Sequence, residues 1–162
     1  MHTPSAEATR ALGGVLGRLV APGDVILLSG DLGAGKTQLV KGLAATLGVV
    51  EPVTSPTFNI LLVHEGRLPL YHVDLYRLER AEQLEDIDYF GTLEAGGVAA
   101  VEWGDRFPEA APDDHLGIRL HILGDDERLL DIDGVGPRSS SLAEELARDA
   151  ATIPGVRIEA VA

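Results

Sequence analysis

The sequence contains no cysteine, which removes disulfides, thiolate nucleophiles and Cys-based metal sites together. Lysine is almost as scarce. Only Lys36 and Lys41 occur, so eleven of the 13 basic residues are arginines, set against 26 acids for a net charge of −13. Nucleic-acid affinity comes largely from Lys and Arg displacing counterions at phosphates, so this chain is not expected to bind nucleic acid on its own. An acidic surface suits a basic protein partner, with plain solubility as the commoner explanation. Long apolar runs are missing too: nothing approaches the ~20 residues of a membrane span. Glu7, Arg10 and Arg18 interrupt the first twenty residues, so no signal peptide is expected. The absent thiols and absent targeting segments agree with a cytoplasmic protein. Asparagine is represented by Asn59 alone, which leaves no Asn-Lys-x-Asp motif for reading guanine.

What is present is a chain of 162 residues, 45% of them apolar. That length and composition suit one α/β domain over residues 1–162 with a sizeable core. Thr3-Pro4 is a helix-start signal with Pro at the first helical position, and Leu12, Val15, Leu16, Leu19 and Val20 share one helical face. Val25 to Ser29 reads as a buried parallel strand. A second helix carries Leu39, Val40, Leu43 and Leu47 and stops at Gly48. Phe58 to Val63 and Leu68 to Val73 form an antiparallel hairpin around Glu65-Gly66-Arg67. Glu79 to Phe90 reads as an acidic helix, and Val98 to Val101 as a strand ending at Glu102. His115 to Leu123 and Arg128 to Ile132 make a second hairpin, Ser141 to Ala151 a last helix, and Val156 to Val161 an edge strand. The expected fold is a three-layer P-loop sandwich on a mixed sheet, parallel at its centre with antiparallel hairpins.

Gly30-Asp31-Leu32-Gly33-Ala34-Gly35-Lys36-Thr37 satisfies G-x-x-x-x-G-K-[ST], with the strand before and the helix after that the motif requires. Gly33 and Gly35 let the backbone fold around phosphates where a Cβ would collide. The N–H groups of Leu32, Gly33, Ala34, Gly35, Lys36 and Thr37 then form an anion nest at a helix N-terminus. Lys36 places a cation between the β- and γ-phosphates, and Thr37 offers a hydroxyl to Mg²⁺. Mg²⁺ takes one or two protein carboxylates beside phosphate and water. Asp74 and Glu102, each ending an apolar strand, are the candidates. One would hold the metal and the other orient the attacking water, and spacing does not say which.

Smaller features carry plainer readings. Ser55-Pro56-Thr57 sits where a phosphate-sensing switch would lie, with Thr57 as its sensor, although an ordinary turn is the simpler account. Trp103 reads as packing or as a wall beside the nucleotide. His72, on the strand face opposite Asp74's neighbours, reads as structural. No spacing suggests zinc.

Four motifs occur in order: the P-loop; Ser55-Pro56-Thr57-Phe58; His72-Val73-Asp74-Leu75-Tyr76-Arg77-Leu78; and Val101-Glu102-Trp103-Gly104-Asp105-Arg106, followed by Pro112. Together they resemble the bacterial TsaE (YjeE) family, over residues ~3 to ~133. The resemblance implies an ATP- and Mg²⁺-dependent ATPase, slow alone, that works with a TsaD–TsaB pair in threonylcarbamoyl-adenosine modification of tRNA. Such a subunit reaches tRNA only through its partners. It further implies that Thr37 and Glu102 hold Mg²⁺, that Lys36, Asp74 and Glu102 carry the catalysis with Asp74 by the γ-phosphate, and that Arg128 lies near the nucleotide. The family commonly has acidic residues where this chain reads Ser5-Ala6. The segment after Ile132 matches no motif of the family. A nucleotide-dependent assembly switch and a small-molecule kinase are the rival functions.

Overall fold

The computed structural model describes residues 1–54, 56 and 59–159. Seven strands join in one sheet of order β1-β7-β6-β2-β5-β4-β3. The centre is β6 (His115–Ile122), β2 (Val25–Ser29), β5 (Val98–Glu102) and β4 (Leu70–Asp74), all parallel. β3 (Leu61–His64) adds antiparallel to β4, β7 (Arg128–Val135) antiparallel to β6, and the two-residue β1 (His2–Thr3) closes the other edge. Every residue of β2 and β5 is buried, as continuous apolar runs between helical layers require.

One layer holds α1 (Ala6–Leu19), α2 (Lys36–Thr46) and α5 (Pro137–Ala150). Leu12, Leu16, Leu39, Leu43 and Leu146 pack there on Ile26, Leu28 and Ile118. The other layer holds α3 (Gln83–Asp86) and α4 (Tyr89–Leu93), whose Leu84, Tyr89 and Leu93 cover Leu27, Val73 and Val101. The expected three-layer mixed sheet is therefore present. α1 and α2 touch backbone to backbone. A Cβ at Gly42 would overlap the Arg10 carbonyl oxygen, and one at Gly13 the Leu39 carbonyl oxygen.

Several boundaries differ from the expectation, each for a physical reason. The single acidic helix is two short ones. Its buried residues Leu84 and Tyr89 are five positions apart, a step that one helix turn of 3.6 residues does not make, and Asp88 takes it up with a left-handed φ of 50°. α1 starts after Pro4: Ser5 is its N-cap, accepting the Ala8 N–H at 3.1 Å. α5 starts at Pro137, four residues early, because Asp114 caps it from a distance by accepting the N–H groups of Arg138 and Ser139, each at 2.9 Å. β7 runs on to Val135. The edge strand at 156–161 shrinks to a single bridge between His2 and Arg157, its last two positions lying outside the described residues. β3 begins at Leu61, and Phe58 lies outside the described residues as well. Gly48, at φ 80°, follows the Leu47 C-cap of α2 as expected.

Candidate functional site

β2 delivers the chain into the loop of Gly30 to Thr37 at the carboxyl edge of the parallel strands, where α/β sheets place their ligands. The turn depends on glycine. Gly30, Gly33 and Gly35 adopt φ of 138°, 81° and 105°, which side chains with a Cβ rarely reach. Gly35 is the N-cap of α2, so the N–H groups of Lys36 and Thr37 belong to a first turn that has no carbonyl to bond within the helix.

Lys36 is buried. Its ammonium donates to the carbonyl oxygens of Gly30 at 2.6 Å and Asp31 at 3.0 Å and lies 4.5 Å from the centroid of the Trp103 ring. Burial holds its pKa below the ordinary lysine value, against the pull of Glu102, Asp74, Asp31 and Asp105. Leu32 stands almost fully in solvent, and Ala34 is buried beneath the loop. Arg128, 94 residues on, clasps that loop from β7: its Nε donates to the Ala34 carbonyl at 2.9 Å and an Nη to Gly33 at 3.2 Å.

The two acids come together because β4 and β5 are neighbours, with Asp74 paired in register with Glu102. The Thr37 hydroxyl donates to Glu102 Oε1 at 3.2 Å. Asp74 Oδ1 accepts the Tyr76 N–H at 2.9 Å, and burial raises its pKa above the ordinary carboxylate value, with Glu102 adding to the rise. The Tyr76 and Trp103 rings pack tilted by 41° with centroids 5.0 Å apart, and Trp103 takes a left-handed φ of 59°. With Gly33, Lys36, Thr37, Asp74 and Glu102 they line a cavity of about 510 Å³. A hollow of about 530 Å³ on the open face of β6 and β7, walled by Asp105, Arg119, Asp131 and Asp133, has no such loop of backbone donors.

The first-turn N–H groups of Lys36 and Thr37, with the Lys36 ammonium beside them, fit a polyphosphate, whereas the Ala34 N–H, expected in the nest, turns back to the Asp31 carbonyl at 3.0 Å. The touching hydroxyl and carboxylate of Thr37 and Glu102 fit a hard cation that draws its remaining ligands from phosphate and water. The residues expected in the loop and its acids come together: Leu32, Gly33, Ala34, Gly35, Lys36 and Thr37 form the loop, Asp74 and Glu102 face it, and Arg128 braces it. The Ser5 hydroxyl is committed to its own helix, and Ala6 borders a small hollow shared with Gly33, Gly35 and Arg128. Ser55 and Thr57 lie outside the described residues. His72, read as structural, lies with its Nε2 2.5 Å from Glu102 Oε2. The hint was its position two residues before Asp74, hence on the same strand face.

The family model described as "Threonylcarbamoyl adenosine biosynthesis protein TsaE" matches residues 3–130. The chain belongs to the TsaE family. Among relatives named tRNA threonylcarbamoyladenosine biosynthesis protein TsaE, the Bacillus subtilis protein is 42% identical over 148 residues, covering 91% of this chain and 92% of that one. The Treponema pallidum protein is 46% identical over 124 residues, covering 76% and 92%. The crystal structure of Bacillus subtilis YdiB superposes with a TM-score of 0.77 at 37% identity, covering 92% of this chain and 93% of that one. The TsaE match ends within β7, so α5 lies beyond it.

Proposed function

We propose that this chain binds ATP with Mg²⁺ in the Gly30–Thr37 loop and hydrolyses it as the ATPase subunit of cytoplasmic tRNA threonylcarbamoyladenosine modification. It acts on a TsaD–TsaB-type complex and meets tRNA only through that complex. The observation that carries the chemistry is the contact of Thr37 Oγ1 with Glu102 Oε1 at 3.2 Å, at the mouth of the loop and beside Asp74. Family membership supports the biological setting.

In this reading the loop N–H groups and the Lys36 ammonium stabilise the negative charge that spreads over the phosphate oxygens as the terminal group leaves. Thr37 and Glu102 would hold the divalent ion, which neutralises phosphate charge and aligns the terminal group. Asp74 orients the attacking water, its partly buried carboxylate being the acceptor left over after Glu102 is engaged. Arg128 keeps the loop in shape through the Gly33 and Ala34 carbonyls. Trp103 and Tyr76 exclude solvent on the open side.

P-loop enzymes lacking an arginine supplied in trans turn over at roughly 10⁻² to 10⁻⁴ per second, and such an arginine adds about 10³–10⁵-fold. The test is ATP turnover with and without the TsaD–TsaB pair. Slow hydrolysis accelerated by the pair is expected, and equal fast rates would refute the proposal. Glu102→Ala and Asp74→Ala should each abolish hydrolysis and modification together; modification that survives without hydrolysis would make the chain an assembly switch. A phosphorylated small-molecule product would make it a kinase.

A further inference from the structure

Among the described residues, two buried side-chain nitrogens have no hydrogen-bond partner: His64 Nε2 and His72 Nδ1. They belong to neighbouring rings. Leu62 lies opposite His72 and His64 opposite Leu70 in the β3–β4 pair, so the two imidazoles are diagonal neighbours on one face. Their centroids are 6.4 Å apart, with His64 5% and His72 0% exposed. An unpaired buried polar atom is costly, so two of them side by side require an explanation.

The opposite nitrogen of each ring determines what the free one offers. His72 Nε2 faces Glu102 Oε2 at 2.5 Å, and His64 Nδ1 faces Glu51 Oε1 at 2.6 Å. A carboxylate only accepts, so each imidazole directs an N–H there, and the neutral form of each ring then carries a lone pair on the nitrogen left over. Two lone pairs cannot bond each other. The two nitrogens make no direct bond, and ring centres 6.4 Å apart put both rings within reach of a single bridging water. Water has two O–H donors for two acceptors.

We propose that one buried water bridges His64 Nε2 and His72 Nδ1, and that His72, held this way, is the positioning residue of Glu102. The connection runs from Glu51 through His64, the water and His72 to Glu102 and Thr37. It pins Oε2 of Glu102 so that Oε1 is presented to Thr37 and to a divalent ion, as outer partners orient metal-holding carboxylates elsewhere. The second half of this inference rests on the function proposed above; the water and the tautomers do not.

Two measurements on the wild-type chain test the geometry. Side-chain ¹⁵N spectra should show His72 as the Nε2–H tautomer and His64 as the Nδ1–H tautomer, with the His72 signals moved by Glu102→Gln. A high-resolution crystal should show solvent density within hydrogen-bond reach of both free nitrogens. The reverse tautomer at His72, or a dry gap, overturns the proposal. For the positioning role, His72→Leu should raise the half-saturating Mg²⁺ and Mn²⁺ concentrations and lower kcat, each about 10–100-fold, while nucleotide affinity without metal stays within about twofold. His72→Gln, which keeps an N–H donor near the Nε2 position, should recover most of the loss. Unchanged metal dependence in His72→Leu, or no recovery in His72→Gln, overturns it. If the wild type does not hydrolyse ATP, the enzymatic reading fails by itself, and the spectra and the Mn²⁺ affinity still decide the role of His72.

Discussion

Lys36 and Asp74 are the residues whose surroundings work against them, and both face the same cavity. The Lys36 ammonium is buried among backbone carbonyls that a phosphate would out-compete, since hydrogen bonds to charged acceptors are roughly twice as strong as those to neutral ones. Lys36→Ala should weaken nucleotide binding about 10–100-fold, equivalent to losing one charged hydrogen bond of about 1.5–3 kcal/mol; calorimetry with ATP and Mg²⁺ measures this, and undiminished affinity would remove Lys36 from the site. Asp74 lends itself to a pH experiment. Burial raises its folded-state pKa above the ordinary 3.8, so the folded chain holds that proton more tightly than the unfolded one. Such a group favours folding most at low pH, below 3.8, and that contribution is lost as pH rises through the folded-state pKa. At pH 8 the ionised carboxylate is therefore a cost. Asp74→Asn removes the charge and keeps an Oδ1 acceptor for the Tyr76 N–H. Its Tm should exceed the wild type's by about 2 °C at pH 8, the gap narrowing toward pH 4, while hydrolysis is lost. A variant less stable at pH 8 would mean that attraction to Lys36 outweighs desolvation.

The contact of α1 with α2 sets the position of the P-loop helix, and glycine makes it possible. In an open helix Gly→Ala gains up to about 1 kcal/mol of helix propensity. At Gly42 the sign should reverse, because the new methyl would sit on the Arg10 carbonyl oxygen, and overpacking of this kind costs about 1–3 kcal/mol or more. Urea denaturation of Gly42→Ala should show a clear loss; a gain would mean the helices slide apart freely. This contact also marks what could be read from the chain and what could not. β2, the loop and α2 are local patterns, an apolar run, three glycines and a helical stripe, and their boundaries emerge almost unchanged. Elements defined from far away do not. The start of α5 depends on Asp114, and the break at Asp88 depends on which side of the sheet Leu84 and Tyr89 must cover. The site divides in the same way. The loop and both acids were legible as motifs, whereas the bond from His72 to Glu102 arises only when β4 lies beside β5. The same holds for the clasp of Arg128 on the Gly33 and Ala34 carbonyls, which the hairpin of β6 and β7 creates.

The whole molecule carries a net charge of −13, and the open face of β6 and β7 adds Asp131 and Asp133 to Asp105 around one hollow. Such a surface repels a phosphate backbone. The chain alone should leave tRNA unretarded in a gel shift at moderate salt, and a band that moves would contradict the indirect route to tRNA. Attraction to a basic protein surface is the complementary expectation. Surface charges are screened beyond about 10 Å at 0.1 M salt and about 3 Å at 1 M, and steering acts chiefly on the association rate. Association with the proposed TsaD–TsaB partner, followed by surface plasmon resonance, should therefore slow about tenfold between 0.05 and 0.5 M salt while dissociation changes little. An association rate flat across that range would show that the acids serve solubility alone and that docking is driven by apolar contact, in which case exposed groups such as Leu32 and Tyr76 at the cavity mouth become the residues to truncate.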